Sequence, residues 1–140
     1  MDEKRFIDIA AGRVKADLVL KNAFVLNVFT KEFIKQDVAI ADGYIAGVGQ
    51  YEGVVEKDLT GKFVCPGLID AHLHIESTMA SPRNFARQAL RCGTTAVIAD
   101  PHEIANVAGV DGILYMLEDA RKAVFADTNQ PLVSIYFMIP

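Results

Sequence analysis

Residues 69–76 alternate strictly between apolar and ionisable side chains, and this alternation constrains the fold more than any other part of the sequence. If the segment from Leu68 to Glu76 is extended, successive side chains point to opposite faces. One face then carries Ile69, Ala71, Leu73 and Ile75, and the other carries Asp70, His72, His74 and Glu76. The backbones of His72 and His74 lie about 6.6 Å apart on such a strand, so both imidazoles can reach one metal ion.

The strand that these residues predict can belong to two kinds of sheet. An antiparallel edge strand commonly keeps one face in water, and a single His-x-His pattern is common enough to occur there. The context favours a βα unit, because Pro66-Gly67 marks a sharp entry to the strand and the start of a helix follows it. In a barrel of parallel strands, the inner face opens into the active site at the carboxyl end of each strand. We therefore expect the ionisable face to be the inner one.

Residues 1–65 predict a small antiparallel β-sandwich segment. A short helix is expected over Asp2–Ala11, followed by runs of branched and aromatic residues that are typical of strands. These runs are Ala16–Leu20, Ala23–Val28, Phe33–Ile40 and Tyr44–Val48. Asp42-Gly43 separates two apolar runs, and a two-residue link of this type is a strong hairpin signal.

Residues 66–140 predict the first three strands and two helices of an incomplete (β/α)8 barrel, which is an α/β fold. Ser81-Pro82 opens a helix that Gly93 ends, and residues 94–99 form the next strand. The chain then continues into a second helix and a third strand. This strand–helix–strand rhythm is typical of parallel sheets.

The second helix is expected to be capped by Asp111, and residues 132–139 are expected to form a third strand that is apolar on both faces. The buried stripe predicted for this helix contains Ile113, Leu114, Leu117 and Ala120. A complete barrel needs eight strands and about 250 residues, so we expect the chain to be the N-terminal portion of a longer protein. The alternative is a complete three-stranded domain whose edge is covered by a partner.

All three histidines fall at the ends of predicted barrel strands. His72, His74 and Glu76 close the first strand, whereas Asp100, His102 and Glu103 close the second. Imidazole and carboxylate ligands together suit manganese, iron or zinc, and a metal can lower the pKa of bound water to about 7. This pattern favours hydrolytic chemistry. For residues 100–103 the alternative is a polar turn whose glutamate favours a helix N-terminus.

Composition excludes several classes of function. The net charge is −4 with both signs interspersed, so no basic patch indicates nucleic acid binding. No apolar run approaches the ~20 residues of a membrane span. The N-terminal sequence lacks the apolar core and cleavage site of a signal peptide, and we expect a cytoplasmic protein. Cys65 and Cys92 fit no metal or redox spacing, so we expect free thiols.

Competing catalytic motifs are incomplete. His74-Ile75-Glu76 matches the His-x-Glu of zinc nucleobase deaminases, but the Pro-Cys-x-x-Cys that those enzymes need is missing from the sequence. Ser77 and Ser81 lack the context of a nucleophile elbow. No glycine-rich phosphate fingerprint occurs.

Two motifs carry a family resemblance across essentially the whole chain. Residues 66–74 resemble the amidohydrolase superfamily, and residues 72–79 together with 100–107 resemble the bacterial adenine deaminase family. The resemblance implies a distorted (β/α)8 barrel and a purine salvage reaction in which adenine and water give hypoxanthine and ammonia. It also implies a manganese centre, with iron or zinc as alternatives, that is binuclear in the intact enzyme.

The resemblance also suggests roles for individual residues. His72 and His74 match metal ligands, and we expect His102 to join the metal set. Asp100 and Glu103 match the second motif, and we expect them to act in catalysis, although their individual roles stay open. The remaining two residues, Glu76 and Ser77, are expected to line the substrate pocket.

The family's remaining ligands and its late aspartate have no counterpart within 140 residues. We therefore expect this polypeptide to be inactive alone, and the intact enzyme to be a homo-oligomer that takes adenine as its small-molecule substrate. Two other functions stay open. One is a different amidohydrolase that acts on a cyclic amide or an amine-bearing heterocycle, and the other is a non-enzymatic metal-binding domain.

Overall fold

The computed structural model describes residues 2–139. The chain divides into two compact units, Met1–Pro66 and Gly67–Pro140. Met1 and Pro140, the outermost residues of the two predicted segments, lie outside the described residues. No helix within residues 2–139 is both long enough and apolar enough to cross a membrane.

Within residues 2–66, the first unit has one helix and five strands. They are α1 (Glu3–Ala10), β1 (Ala16–Asn27), β2 (Glu32–Ala41), β3 (Tyr44–Gly49), β4 (Gly53–Asp58) and β5 (Phe63–Val64). The carboxylate of Asp2 caps α1 by accepting a hydrogen bond from the Arg5 backbone N–H. On its inner face α1 buries Ile9, which packs against Val19 and Ala39 of the sheet. The predicted first helix is therefore confirmed.

Strands β1, β2 and β3 form the predicted antiparallel part of the sheet. The link between β2 and β3 is Asp42-Gly43, and both residues have positive φ angles, of 51° and 80°. Positive φ at both central residues is what a type I′ hairpin turn requires. The predicted hairpin is confirmed.

Strands β4 and β5 both run parallel to β1, so the expectation of a purely antiparallel sheet is wrong for these two strands. The direction in which a strand enters a sheet is not encoded in its own residues. β4 is also exposed along most of its length, and its sequence has only Val54 and Val55 as apolar residues, so it lacks the apolar run that would predict a strand. The described part of this unit forms one mixed sheet, and the β-sandwich itself stays a prediction.

The strand β1 is a single element rather than the two runs expected. Its pairing with β2 shifts register between Leu20 and Ala23, and Asn22 in this interval has a φ of 61°. This irregularity is a β-bulge, which kinks a strand locally without ending it. The polar pair Lys21-Asn22 interrupts the apolar pattern at the bulge, which explains why the sequence predicts two strands.

The second unit alternates strands and helices. Its elements are β6 (Leu68–Leu73), a 3-10 turn (Glu76–Thr78), α2 (Pro82–Arg91), β7 (Thr94–Ala99), α3 (His102–Arg121) and β8 (Ser134–Phe137). The strands are all parallel, in the order β6-β7-β8. This arrangement confirms the α/β class, whereas the rest of a barrel stays a prediction.

Two element boundaries in this unit differ from the prediction. β6 ends at Leu73, so His74 follows the strand and Glu76 begins the 3-10 turn. The cause is Ile75, which is fully buried and packs with Ala99 and Met116. Burial of this side chain draws the chain into a turn instead of continuing the strand. β8 is likewise shorter than the expected 132–139.

The helix α3 begins nine residues earlier than the expected cap at Asp111, at His102. Side-chain carboxylates from outside the helix accept hydrogen bonds from its first N–H groups, so the polar turn becomes the helix start. Gly109 interrupts the helix with φ 61° and ψ −147°. The buried residues of α3 are Gly112, Met116 and Asp119, so the predicted stripe is displaced around the helix.

Candidate metal centre

Three imidazoles lie side by side at the carboxyl ends of β6 and β7. His72 lies in β6, His74 follows the strand, and His102 is the first residue of α3. The ring centroids of His72 and His74 are 5.1 Å apart, and those of His74 and His102 are 4.6 Å apart. The structure therefore brings together all three predicted metal ligands, with His74 in the middle.

Main-chain pairing between β6 and β7 fixes the orientation of His74. The Asp100 backbone N–H donates to the Leu73 carbonyl oxygen at 2.9 Å, and Nδ1 of His74 lies 2.9 Å from the Asp100 carbonyl oxygen. Because a carbonyl can only accept, Nδ1 carries the hydrogen, and Nε2 keeps its lone pair for a metal. This hydrogen bond, helped by the nearby carboxylates, raises the pKa of His74 although burial opposes it.

The side chain of Asp100 holds His102 in a similar way. Its Oδ2 lies 3.0 Å from Nδ1 of His102, and its Oδ1 accepts from the His102 backbone N–H at 3.2 Å. The hydrogen bond from His102 is the main reason why the pKa of Asp100 is lowered. A carboxylate on one ring nitrogen orients an imidazole and leaves the other nitrogen for a metal.

Glu103 faces the imidazoles from the first turn of α3. Both of its carboxylate oxygens lie within hydrogen-bonding distance of the Ser77 hydroxyl, at 2.8 Å and 2.9 Å. Ser77 belongs to the 3-10 turn that follows β6. The predicted pocket residue and the predicted catalytic residue are therefore in direct contact.

Glu76 caps the helix that carries the second motif. Its Oε1 accepts from the Ile104 backbone N–H at 3.1 Å, and Pro101, at the cap position of α3, provides no side-chain hydrogen bond. The other oxygen, Oε2, is buried and has no hydrogen-bond partner within residues 2–139. Its contact with α3 gives Glu76 a structural role, and its place in a substrate pocket stays a prediction.

Among residues 2–139, two overlapping groups of side chains can hold a metal ion. One is His72, His74 and Asp100, and the other is His74, His102 and Glu103; within each group the candidate ligand atoms all lie within 4.8 Å of one another. The donors are imidazole nitrogens and carboxylate oxygens, a set that suits manganese, iron or zinc. The residues present therefore fit a divalent metal, and His74 is common to both groups.

Two contacts of the site were not predicted from the sequence. They are the hydrogen bond between Ser77 and Glu103, and the capping of α3 by Glu76. The second has a sequence signal, because a proline before a helix cannot supply a capping side chain and the first N–H groups need another acceptor. The first has none, since it joins residues 26 positions apart through side chains alone.

The sequence that carries this geometry is similar to that of known proteins. Residues 63–129 match the amidohydrolase family model. An adenine deaminase of Oceanobacillus iheyensis is 60% identical over 81% of this chain and 20% of the relative. A second, adenine deaminase 2 of Carboxydothermus hydrogenoformans, is 52% identical over 98% of this chain and 23% of the relative.

The amidohydrolase resemblance is confirmed. All of the predicted site residues, from His72 to Glu103, lie inside the range that matches the amidohydrolase family model. The chain spans about a fifth of the length of the adenine deaminases that it matches. The crystal structure of a D-aminoacylase is similar in fold, with a TM-score of 0.61 and 22% identity over 89% of this chain and 29% of that chain.

Proposed function

We propose that the full-length protein to which this segment belongs is a metal-dependent adenine deaminase. The reaction consumes adenine and water and releases hypoxanthine and ammonia. The single observation that carries the proposal is the similarity to adenine deaminases along a segment that brings His72, His74 and His102 together. Amidohydrolase geometry alone would support a broader range of substrates.

At such a site, different residues of this chain would bind the metal and transfer the proton. The Nε2 atoms of His74 and His102 are available to bind a divalent metal, because their Nδ1 atoms face Asp100. A bound divalent metal lowers the pKa of a coordinated water toward about 7. The carboxylate of Glu103 lies beside the same imidazoles; one oxygen would face the metal, and the other would take up a proton and return it to the departing amine.

The finer assignments belong to this proposal. We assign manganese to the centre, with iron or zinc as alternatives, and we expect a binuclear site in the full-length protein. We assign the second unit to the beginning of a (β/α)8 barrel, since its three strands are parallel and joined by helices. A role in purine salvage, a cytoplasmic location and a homo-oligomeric state also stay predictions.

The test is ammonia release from adenine by the full-length native protein, purified and reloaded with manganese. Adenosine and cytosine serve as controls, because adenosine carries the same purine amine with a ribose attached to the ring and cytosine carries an exocyclic amine on a pyrimidine. Release from adenine alone is the expected result. Metal binding at the histidines without ammonia release from adenine would refute adenine as the substrate. A panel of cyclic amides and other amine-bearing rings would then be tested as substrates of the same site.

A further inference from the structure

We propose that Ser77 is a positioning residue that holds the Glu103 carboxylate against His74 and His102 and thereby sets the metal affinity of that group. The inference rests on the proposed function only in that it concerns the same metal site. It gives Ser77 a different role from lining the substrate pocket, because the structure directs its hydroxyl at a carboxylate that can act as a metal ligand.

The turn that carries Ser77 is fixed on both sides. Ile75, two residues earlier, is fully buried. Thr78, one residue later, donates to the Ile75 carbonyl oxygen from its hydroxyl at 2.6 Å and from its backbone N–H at 3.0 Å. These contacts leave the Ser77 hydroxyl in a defined place relative to the end of β6.

Two neighbouring residues of this 3-10 turn form hydrogen bonds with the first turn of α3. Glu76 accepts from the Ile104 backbone N–H, and Ser77 reaches the Glu103 carboxylate. The backbone contact fixes the start of the helix, and the side-chain contact fixes the direction of the carboxylate. The two contacts therefore have separable effects.

Glu103 needs such a contact because its side chain is long. A glutamate loses considerable rotamer freedom when it is held in one place, and ordering it in advance removes that cost from metal binding. The Ser77 hydroxyl has one hydrogen, which it can donate to either carboxylate oxygen. One oxygen of Glu103 then remains free to face the imidazoles.

The experiment measures the affinity of the metal-free full-length protein for Mn²⁺ by isothermal titration calorimetry. Replacing a residue that orients a metal ligand commonly weakens binding by about 10-fold to 100-fold. We expect about a 10-fold loss for Ser77→Ala and near-normal affinity for Ser77→Thr, which keeps the hydroxyl. In Glu103→Gln the affinity falls, and adding Ser77→Ala to that variant causes no further loss.

The matched control is Thr78→Ala, which removes a hydroxyl from the same turn but no contact to Glu103. It is expected to bind Mn²⁺ as the unmodified protein does, because the Thr78 backbone N–H still donates to the Ile75 carbonyl oxygen and holds the turn. An equal loss in Thr78→Ala and Ser77→Ala would overturn the proposal, because the turn as a whole would then set the affinity. Additive losses in the double variant would also overturn it.

These outcomes are independent of the substrate. If the unmodified protein binds Mn²⁺ but releases no ammonia from adenine, the proposed function fails while the role of Ser77 is still decided by the affinities. If adenine is deaminated and Ser77→Ala binds Mn²⁺ normally, the proposed function stands and the role of Ser77 is refuted.

Discussion

The two units use charged side chains in opposite ways. In the first unit Lys21 and Asp37 form an ion pair with Nζ and Oδ2 2.6 Å apart. Lys21 also donates to the Tyr51 carbonyl oxygen, and Asp37 also accepts from the Asn22 backbone N–H. In the second unit the Nδ1 atoms of His74 and His102 face Asp100, and their Nε2 atoms are available to a ligand. A cluster of paired charges stabilises a fold, whereas a cluster with free lone pairs can bind a ligand.

The two clusters are alike in two respects. Each joins residues distant along the chain, and each contains an aspartate whose pKa is lowered. The difference is the partner. Lys21 has only hydrogens to donate, while a neutral imidazole donates from one nitrogen and keeps a lone pair on the other.

The largest expected effect comes from removing the residue common to both metal groups. His74→Ala in the full-length protein should weaken metal binding by more than about 100-fold and reduce activity in parallel, because a direct ligand is lost. His72→Ala should have a smaller effect, since only one of the two groups contains it. Metal content by mass spectrometry and turnover are the measurements. Full occupancy and normal turnover in His74→Ala would refute its assignment as a ligand.

The next effect tests the cluster around the Lys21–Asp37 ion pair. Asp37→Ala leaves the Lys21 ammonium without its carboxylate in a largely buried setting, and we expect the opening free energy of the β1–β2 pairing to fall by about 2 kcal/mol. Native-state hydrogen exchange of the β1 and β2 amides reports this local value. Mn²⁺ affinity should not change. A loss of metal affinity in this variant would remove the contrast between the units.

A third effect is the acid dependence of the same pairing. Burial of Asp37 raises its pKa, but the hydrogen bond from Lys21 and those from the backbone of Asn22 and Tyr51 outweigh it, so the folded-state pKa is lowered. The stabilisation is therefore complete above the unfolded pKa of about 3.9 and is lost as the pH falls through the lower folded value. Hydrogen exchange between pH 5 and pH 2 should show this loss, and Asp37→Asn should abolish it.

The smallest effect is expected at the hairpin of the first unit. Asp42→Asn keeps a residue that tolerates the positive φ of the turn, so stability should change by less than about 0.5 kcal/mol. Metal affinity and turnover should be unchanged. A change in either would show that the turn contributes to the site, contrary to the contrast drawn between the units.

The sequence predicts much of the second unit because local signals and tertiary structure agree there. The strand at residues 94–99 and the helix opening at Ser81-Pro82 appear where predicted, and alternation places His72 and His74 near each other. The start of α3 was missed because its first N–H groups bond carboxylates outside the helix, those of Asp100 and of Glu76, which lies 28 positions before Ile104. Capping from a distance leaves no periodic pattern to detect.

The first unit shows a second reason for failure. The parallel course of β4 and β5 follows from how the chain crosses the sheet, and strand direction is a property of topology rather than of local sequence. The bulge at Asn22 has a similar origin, since its backbone N–H is held by Asp37. Long-range contacts of this kind decide what local propensity leaves open.

The hydrogen bond that selects the free nitrogen of His74 is accepted by a main-chain carbonyl, that of Asp100. Mutation can erase a side chain at position 100, but every amino acid brings the same carbonyl to that place. The tautomer of this histidine is thus inherited from the pairing of two strands and not from the identity of a neighbour. Substitutions at position 100 therefore leave the tautomer of His74 unchanged for as long as the two strands stay in register.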